Sequence, residues 1–223
     1  MDYTGEVVAG GDAGVRDLKD VAIRKVSVSA MDNNAYLITC RSTGRQALID
    51  AADDAERLLT LVAEGEASGG SGLELVITTH QHWDHHRALA RVLSRSGATS
   101  AAGEPDADAL PLPPDRRLVH GDQVRVGELT LDVVLLRGHT PGSVALVLTP
   151  GDGSTHVFTG DSLFPGGPGR ATKPEDFTSL MDDLEERIFG VLPDSTWVYP
   201  GHGNDTTIGT ERPHLQEWRA RGW

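Results

Sequence analysis

The sequence predicts an α/β fold built as a sandwich, with two sheets face to face and helices outside. Three observations carry this. Short apolar or alternating runs recur along the 223 residues. Amphipathic stretches with helical spacing break them up. The order of several strands followed by one or two helices occurs twice, on either side of the Pro-rich "EPDADALPLPPDRR".

The first twenty residues, rich in Gly and Asp, predict a loose terminus or a short leading strand. "VAIRKVSVSA" and "NAYLITC" alternate or run apolar as strands do, and "QALIDA" follows the turn "RSTGR". "DDAERLLTLVAEGEA" sets Leu58, Leu59, Leu61 and Val62 at helical spacing. Asp53 and Asp54 stand at its start, where carboxylates complement the helix dipole. After the breaker "SGGSG", the strand "LELVITT" stops at His80. "HHRALARVLSRSG" predicts a helix, with Ala88, Leu89, Val92 and Leu93 on one face and Gly97 near its end.

The Pro-rich stretch near residues 103–117 is the expected seam between two αβ halves of a single domain, 1–223. Beyond it, "QVRVG", "LTLDVVLLRG", "VALVLTP" and "THVFTGD" predict four strands parted by Gly turns. "EDFTSLMDDLEERIFGVL" is an amphipathic helix whose core face carries Phe177, Leu180, Met181, Leu184, Ile188 and Phe189. "TWVYPG" is a further strand and "TERPHLQEWRARGW" a short helical tail.

A formal net charge of −13 disfavours nucleic acid and anionic membranes as partners, because both need a basic footprint. A small anionic substrate remains compatible, received by a few local cations. The lone Cys40 ends "AYLITC", permits no intramolecular disulfide and reads as a small buried hydrophobe. The opening "MDYTGEVVAGGDAG" has no basic region followed by an apolar stretch, and no apolar run is long enough for a bilayer. The expected location is cytoplasmic.

The chemistry is concentrated at strand ends. "TTHQHWDHHRALARVL" crowds four histidines and an aspartate between His80 and His86. His80 follows "LELVITT", His139 follows "LDVVLLRG", Asp161 follows "VFTG" and His202 follows "WVYPG". Strands of a sandwich commonly end on one edge, so these loops can converge there. His80 and His82, two apart in extended chain, point the same way and can share an ion with His139. Asp84 and His85, offset at the turn, can hold a second ion with His202, and Asp161 can bridge the pair. His86 is one histidine too many for the ligand count and is expected beside the ligands or at the pocket mouth. His120, His156 and His214 read as surface or capping residues. Seven candidate ligands are too many for a closed structural site, which takes four.

These residues resemble the metallo-β-lactamase fold superfamily. Its HxHxDH motif appears as His80-Gln81-His82-Trp83-Asp84-His85, followed by "GHTPGS" around His139, "TGDSLF" around Asp161 and "PGHG" around His202. "DNNAYLI" and "GELTLDVV" extend the likeness over nearly the whole chain. The resemblance implies an αββα four-layer sandwich, two mixed sheets with helices outside, and metals at one edge. Within the superfamily the chain is most similar to glyoxalase II-like hydrolases in a short form lacking a separate helical domain.

That likeness implies a metallohydrolase acting on a thioester (a hydroxyacyl-thiol) or related ester. It would use a metal-bound hydroxide at two divalent ions, Zn2+ with Fe or Mn as alternatives, and Asp84 would orient the nucleophile. A mononuclear iron persulfide dioxygenase, using His80, His139 and Asp161, shares nearly the same motifs. A lactonase is a further alternative. Two departures are plain: His86 and Arg87 stand where the family has a small residue and glycine, and the basic and tyrosine contacts that hold glutathione in the longer enzymes have no clear match. His86, Arg87, Arg170 and Lys173 are the candidate substrate contacts, with salt bridging the competing role for the three cations. The loop "LFPGGPGRATKPED" reads equally as pocket wall or connector, and Trp83 as scaffold packing or pocket floor.

Overall fold

A computed structural model describes residues 3–222. The first half runs β1 (Gly14–Asp17), β2 (Val21–Ser27), β3 (Asn34–Cys40), β4 (Gln46–Ile49), α1 (Ala55–Ala67), β5 (Leu73–Thr78), α2 (Leu89–Ser96), β6 (Thr99–Gly103) and β7 (Arg116–Leu118). These strands form one sheet in chain order. β1 to β4 pair antiparallel and β4 to β7 pair parallel, so the sheet is mixed.

The second half runs β8 (Gln123–Val126), β9 (Leu129–Leu135), β10 (Val144–Leu148), β11 (His156–Gly160), the small hairpin β12 (Leu163–Phe164) and β13 (Gly167–Pro168), then α3 (Pro174–Leu184), β14 (Trp197–Pro200), β15 (Thr206–Thr207), α4 (Ile208–Glu211) and α5 (Leu215–Arg221). Its six-stranded sheet has the order β15-β14-β11-β10-β9-β8, with β11 and β14 parallel.

Burial explains the layering. Along β2, Val21 and Ile23 face inward and meet Leu131, Leu146 and Phe158 of the other sheet. Val26, Leu37 and Leu48 face outward under Leu58 and Leu61 of α1 and Val92 of α2. On the far side, Leu180, Met181 and Leu184 of α3 cover Ala145 and Val157, with Trp218 of α5 beside them. The result is the αββα sandwich with two mixed sheets. All six apolar residues assigned to the core face of the third helix are buried. No helix among the described residues is long and apolar enough to cross a membrane.

Three expectations need correction. The helix after the histidine cluster starts at Leu89 rather than His85. The amides of Arg87 and Ala88 donate instead to the carbonyls of Ala52 and Ala51, which holds this turn against the end of β4. β6 and β7 were not anticipated, because "TSAAG" and "RRL" are too short and too poor in large apolar residues to read as strands. The tail is not one helix, since Arg212–His214, with Pro213 inside it, separates α4 from α5.

His156 is also buried rather than superficial, between Ser154 Oγ at 2.9 Å and the Tyr199 hydroxyl at 3.0 Å. Burial, with Arg16 nearby, pushes its pKa down to about 4. The unfolded chain therefore binds a proton that the folded chain refuses between pH 6.5 and about 4. This contribution to stability is complete above pH 6.5 and is lost as pH falls through that window.

The sheets are tied at one end by Lys25, whose side chain is wholly buried on the inner face of β2. Its Nζ donates to Asp205 Oδ1 at 2.6 Å and to the carbonyls of Gly5 and Gly203 at 2.7 Å each. Asp205 Oδ2 also accepts from the Tyr3 hydroxyl and Trp197 Nε1.

Two measurements check this reading. Lys25→Met leaves Asp205 without its cation and is expected to cost about 3–5 kcal/mol in urea unfolding, with part recovered in Lys25→Met/Asp205→Asn. His156→Gln is expected to flatten the fall in unfolding midpoint between pH 7 and pH 5 relative to the unsubstituted chain.

Candidate metal centre

The predicted ligands meet at the edge where both sheets present their strand ends. His80 follows β5, Asp161 follows β11 and His202 follows β14, while His139 lies between β9 and β10. Local bonds bring these loops together. The amide of Val144 donates to the Thr79 carbonyl at 2.9 Å, joining the sheets beside His80. Asn34 and Tyr36 of β3 reach across to the Pro200 carbonyl, and Asn34 also reaches that of Gly203, so the turn bearing His202 is held from the first sheet.

Ligand-type atoms within 4.8 Å of one another form three overlapping groups: His80, His82 and His139; His80, His85 and Asp161; Asp84, His85 and His202. Asp161 spans them. Its Oδ2 lies 3.4 Å from His202 Nε2, 3.6 Å from His139 Nε2 and 3.9 Å from His80 Nε2, and its Oδ1 lies 3.3 Å from His85 Nε2. Asp84 Oδ2 is 3.4 Å from His202 Nε2 and is held by Asn33 Nδ2 at 3.0 Å.

Four rings are fixed through the nitrogen that faces away from the cluster. His85 Nδ1 donates to Asp50 Oδ2 at 2.9 Å, His139 Nδ1 to the Arg170 carbonyl at 2.8 Å and His202 Nδ1 to the Met31 carbonyl at 2.8 Å. The Thr79 hydroxyl gives its proton to Asp50 Oδ2, so it accepts from His80 Nδ1 at 3.0 Å. Nε2 of each ring is left to face inward, where it offers a lone pair whenever it carries no proton. The consequence is visible where nitrogens oppose each other: His80 Nε2 and His82 Nδ1 at 3.1 Å, His85 Nε2 and His202 Nε2 at 3.2 Å. Nitrogens so close need a proton or a metal ion between them. His139 Nε2 and Asp161 Oδ1 are buried without a hydrogen-bond partner. This donor set fits divalent ions.

The electrostatics agree. Burial opposes charge on Asp161, yet His202 and His85 hold its carboxyl far below the usual carboxylate range. Burial likewise opposes protonation of His85, but Asp50 and Asp161 lift its pKa to about 10. His80, buried and surrounded by His85, His139 and His82, is pushed well below its ordinary value. In the metal-free chain a proton on His85 thus takes the place of a cation.

The four candidate substrate contacts separate. Lys173 lines a cavity of about 480 Å³ that opens beside His82 and His139 and is also bordered by Arg137 and Thr172. The other three do not line it. His86 is buried, with Nε2 turned to the Gln81 carbonyl at 3.0 Å. Arg87 is engaged by Asp53 at 2.7 Å and stacks over the Trp83 ring at 4.2 Å. Arg170 leaves its side chain in solvent and acts through its backbone carbonyl. Through that carbonyl the loop after Asp161 forms a wall of the site. Trp83 is 55% exposed, so it neither packs in the scaffold nor floors a pocket.

Sequence reasoning missed Asp50, Asn33 and Asp106. Asp50 ends "QALID" as His80 ends "LELVITT", and that parallel was a usable signal.

Residues 29–202 match the family described as the Metallo-beta-lactamase superfamily. The chain is similar to the hydroxyacylglutathione hydrolase of Jannaschia sp. (strain CCS1), 36% identical over 173 residues, which are 77% of this chain and 62% of that protein. It therefore spans less than two-thirds of that relative. Among solved structures it resembles ETHE1 from Myxococcus xanthus, with TM-score 0.75, 31% identity and coverage of 89% and 84% of the two chains. It also resembles TTHA1623 in a di-iron-bound form, with TM-score 0.68, 31% identity and coverage of 84% and 96%.

Gly201 tests the packing of the centre. A Cβ there would stand 2.1 Å from Asp161 Oδ1 and 2.7 Å from His85 Cε1. Gly201→Ala is expected to weaken divalent-metal binding at least about tenfold, read by competition with a chromophoric chelator.

Proposed function

The chain belongs to the metallo-beta-lactamase superfamily, on its glyoxalase II-like side, and from that footing we propose a metal-dependent hydrolase that cleaves a thioester, a hydroxyacyl-thiol or a related ester. The observation that carries this reading is the overlap of two complete ligand groups through Asp161. His80, His82 and His139 would hold one divalent ion, Asp84, His85 and His202 the other, and Asp161 would reach both. Such a pair supplies hydroxide at neutral pH, by lowering the pKa of bound water to about 7, and draws charge from a carbonyl oxygen.

The protein's own groups do the rest. Asp84, fixed by Asn33 Nδ2, would orient the attacking hydroxide. The pinned rings keep the reacting centre from reorganising as charge develops. The cavity beside His82 and His139 receives the substrate, and Lys173 at its border suits an anionic carrier. A thiolate leaves without much acid assistance, which fits a site with no side chain placed as a dedicated proton donor. The name of the Jannaschia relative supports a thioester of glutathione as the substrate class.

The likeness to ETHE1 favours a second reading, a mononuclear iron persulfide dioxygenase using His80, His139 and Asp161. That reading would leave the group of Asp84, His85 and His202 without an ion.

Elemental analysis of protein purified without added metal, followed by assays on thioesters and persulfides, separates the two. About two divalent ions per chain with thioester turnover is the expected result. One iron with oxygen uptake on a persulfide transfers the assignment to the second reading. Asp84→Asn is expected to lower turnover about 10²–10⁴-fold with little change in melting temperature.

A further inference from the structure

We infer that Asp106 is a positioning residue that sets the spacing of the His80–His82–His139 group by clamping the two loops that carry it. This rests on the metal-centre reading above. Asp106 lies in the turn Glu104–Ala109 that follows β6, within the Pro-rich stretch between the halves, and is completely buried. Its Oδ2 accepts from the Gln81 amide at 2.9 Å and from the Thr140 hydroxyl at 2.6 Å. Its Oδ1 accepts from the Gly142 amide at 2.6 Å. Gln81 sits between His80 and His82, and Thr140 follows His139. One carboxylate therefore joins a loop of the first sheet to a loop of the second, next to three ligands.

The contact is built for this fit. A Cβ on Gly142 would stand 2.5 Å from the Asp106 amide nitrogen and 2.8 Å from its Cγ. A Cβ on Gly103 would stand 1.9 Å from the Gly142 carbonyl oxygen. All three partners are donors, so the site wants an acceptor-only group. Asparagine would turn an NH2 toward another N–H or O–H. No lysine or arginine among the described residues pairs with Asp106, so the carboxylate serves the loops rather than an ion pair. The second group is positioned by other means: Asp50 on His85, Asn33 on Asp84, and the Met31 carbonyl on His202. Loss of the Asp106 clamp should therefore loosen one ion and leave its neighbour in place.

The test is stepwise Zn2+ binding to metal-free protein against a chromophoric chelator, for the unsubstituted chain, Asp106→Asn, Thr140→Val and Thr140→Ser, with melting of each metal-free form. The unsubstituted chain is expected to take two ions. Asp106→Asn and Thr140→Val should weaken one step about 10–100-fold and leave the other unchanged. Thr140→Ser, which keeps the hydroxyl donor, should restore the weakened step, and metal-free Thr140→Val should melt close to the unsubstituted form. If both steps weaken together, if neither does, or if melting falls with binding unchanged, Asp106 is scaffold only and the inference is overturned. If the unsubstituted chain binds no pair of ions, the metal-centre reading itself fails, and the inference falls with it.

Discussion

An imidazole has two nitrogens, and in His80, His85, His139 and His202 the outward one is already engaged by the scaffold. Everything at this edge follows from that constraint. A ring tied at Nδ1 cannot turn away without breaking that bond, so its Nε2 stays aimed into the centre. The acceptors that impose this are ordinary parts of the fold: a carbonyl in the β2–β3 loop, another in the loop after β13, the carboxylate that follows β4 and the Thr79 hydroxyl that follows β5. Strand geometry is thereby converted into a set of aimed lone pairs.

The same edge explains why two sheets are needed. His80, His82, Asp84 and His85 come from the first sheet, and His139, Asp161 and His202 from the second. Neither half holds a complete ligand group by itself except through atoms the other supplies. The Thr79–Val144 backbone bond, the reach of Asn34 and Tyr36 to the Pro200 turn, and the buried Lys25–Asp205 pair all lie on this joint. Contacts that hold the two sheets together thus also hold the site together.

Much of this was legible from residue order. Short apolar or alternating runs marked most strands, and the placing of His80, Asp161 and His202 just after such runs located the edge. What escaped notice did so for physical reasons. "TSAAG" and "RRL" are strands because neighbours pair with them, not because of their own side chains. Asp106 sits among prolines and other acidic residues, a composition that signals a solvated connector, and only the folded chain shows three donors converging on it. For Arg87 the sequence left substrate contact and salt bridging both open, and only the fold shows Asp53 and the face of Trp83 claiming it.

The donors gathered at this edge are nitrogen and oxygen alone, since Cys40 is buried at the end of β3 and belongs to none of the three groups. Without thiolate there is no soft atom to favour one borderline element over another. Imidazole and carboxylate suit several first-row dications, and selection among them falls to ligand geometry and to metal supply. The choice of element would then rest in part outside the polypeptide, on what the host keeps in supply.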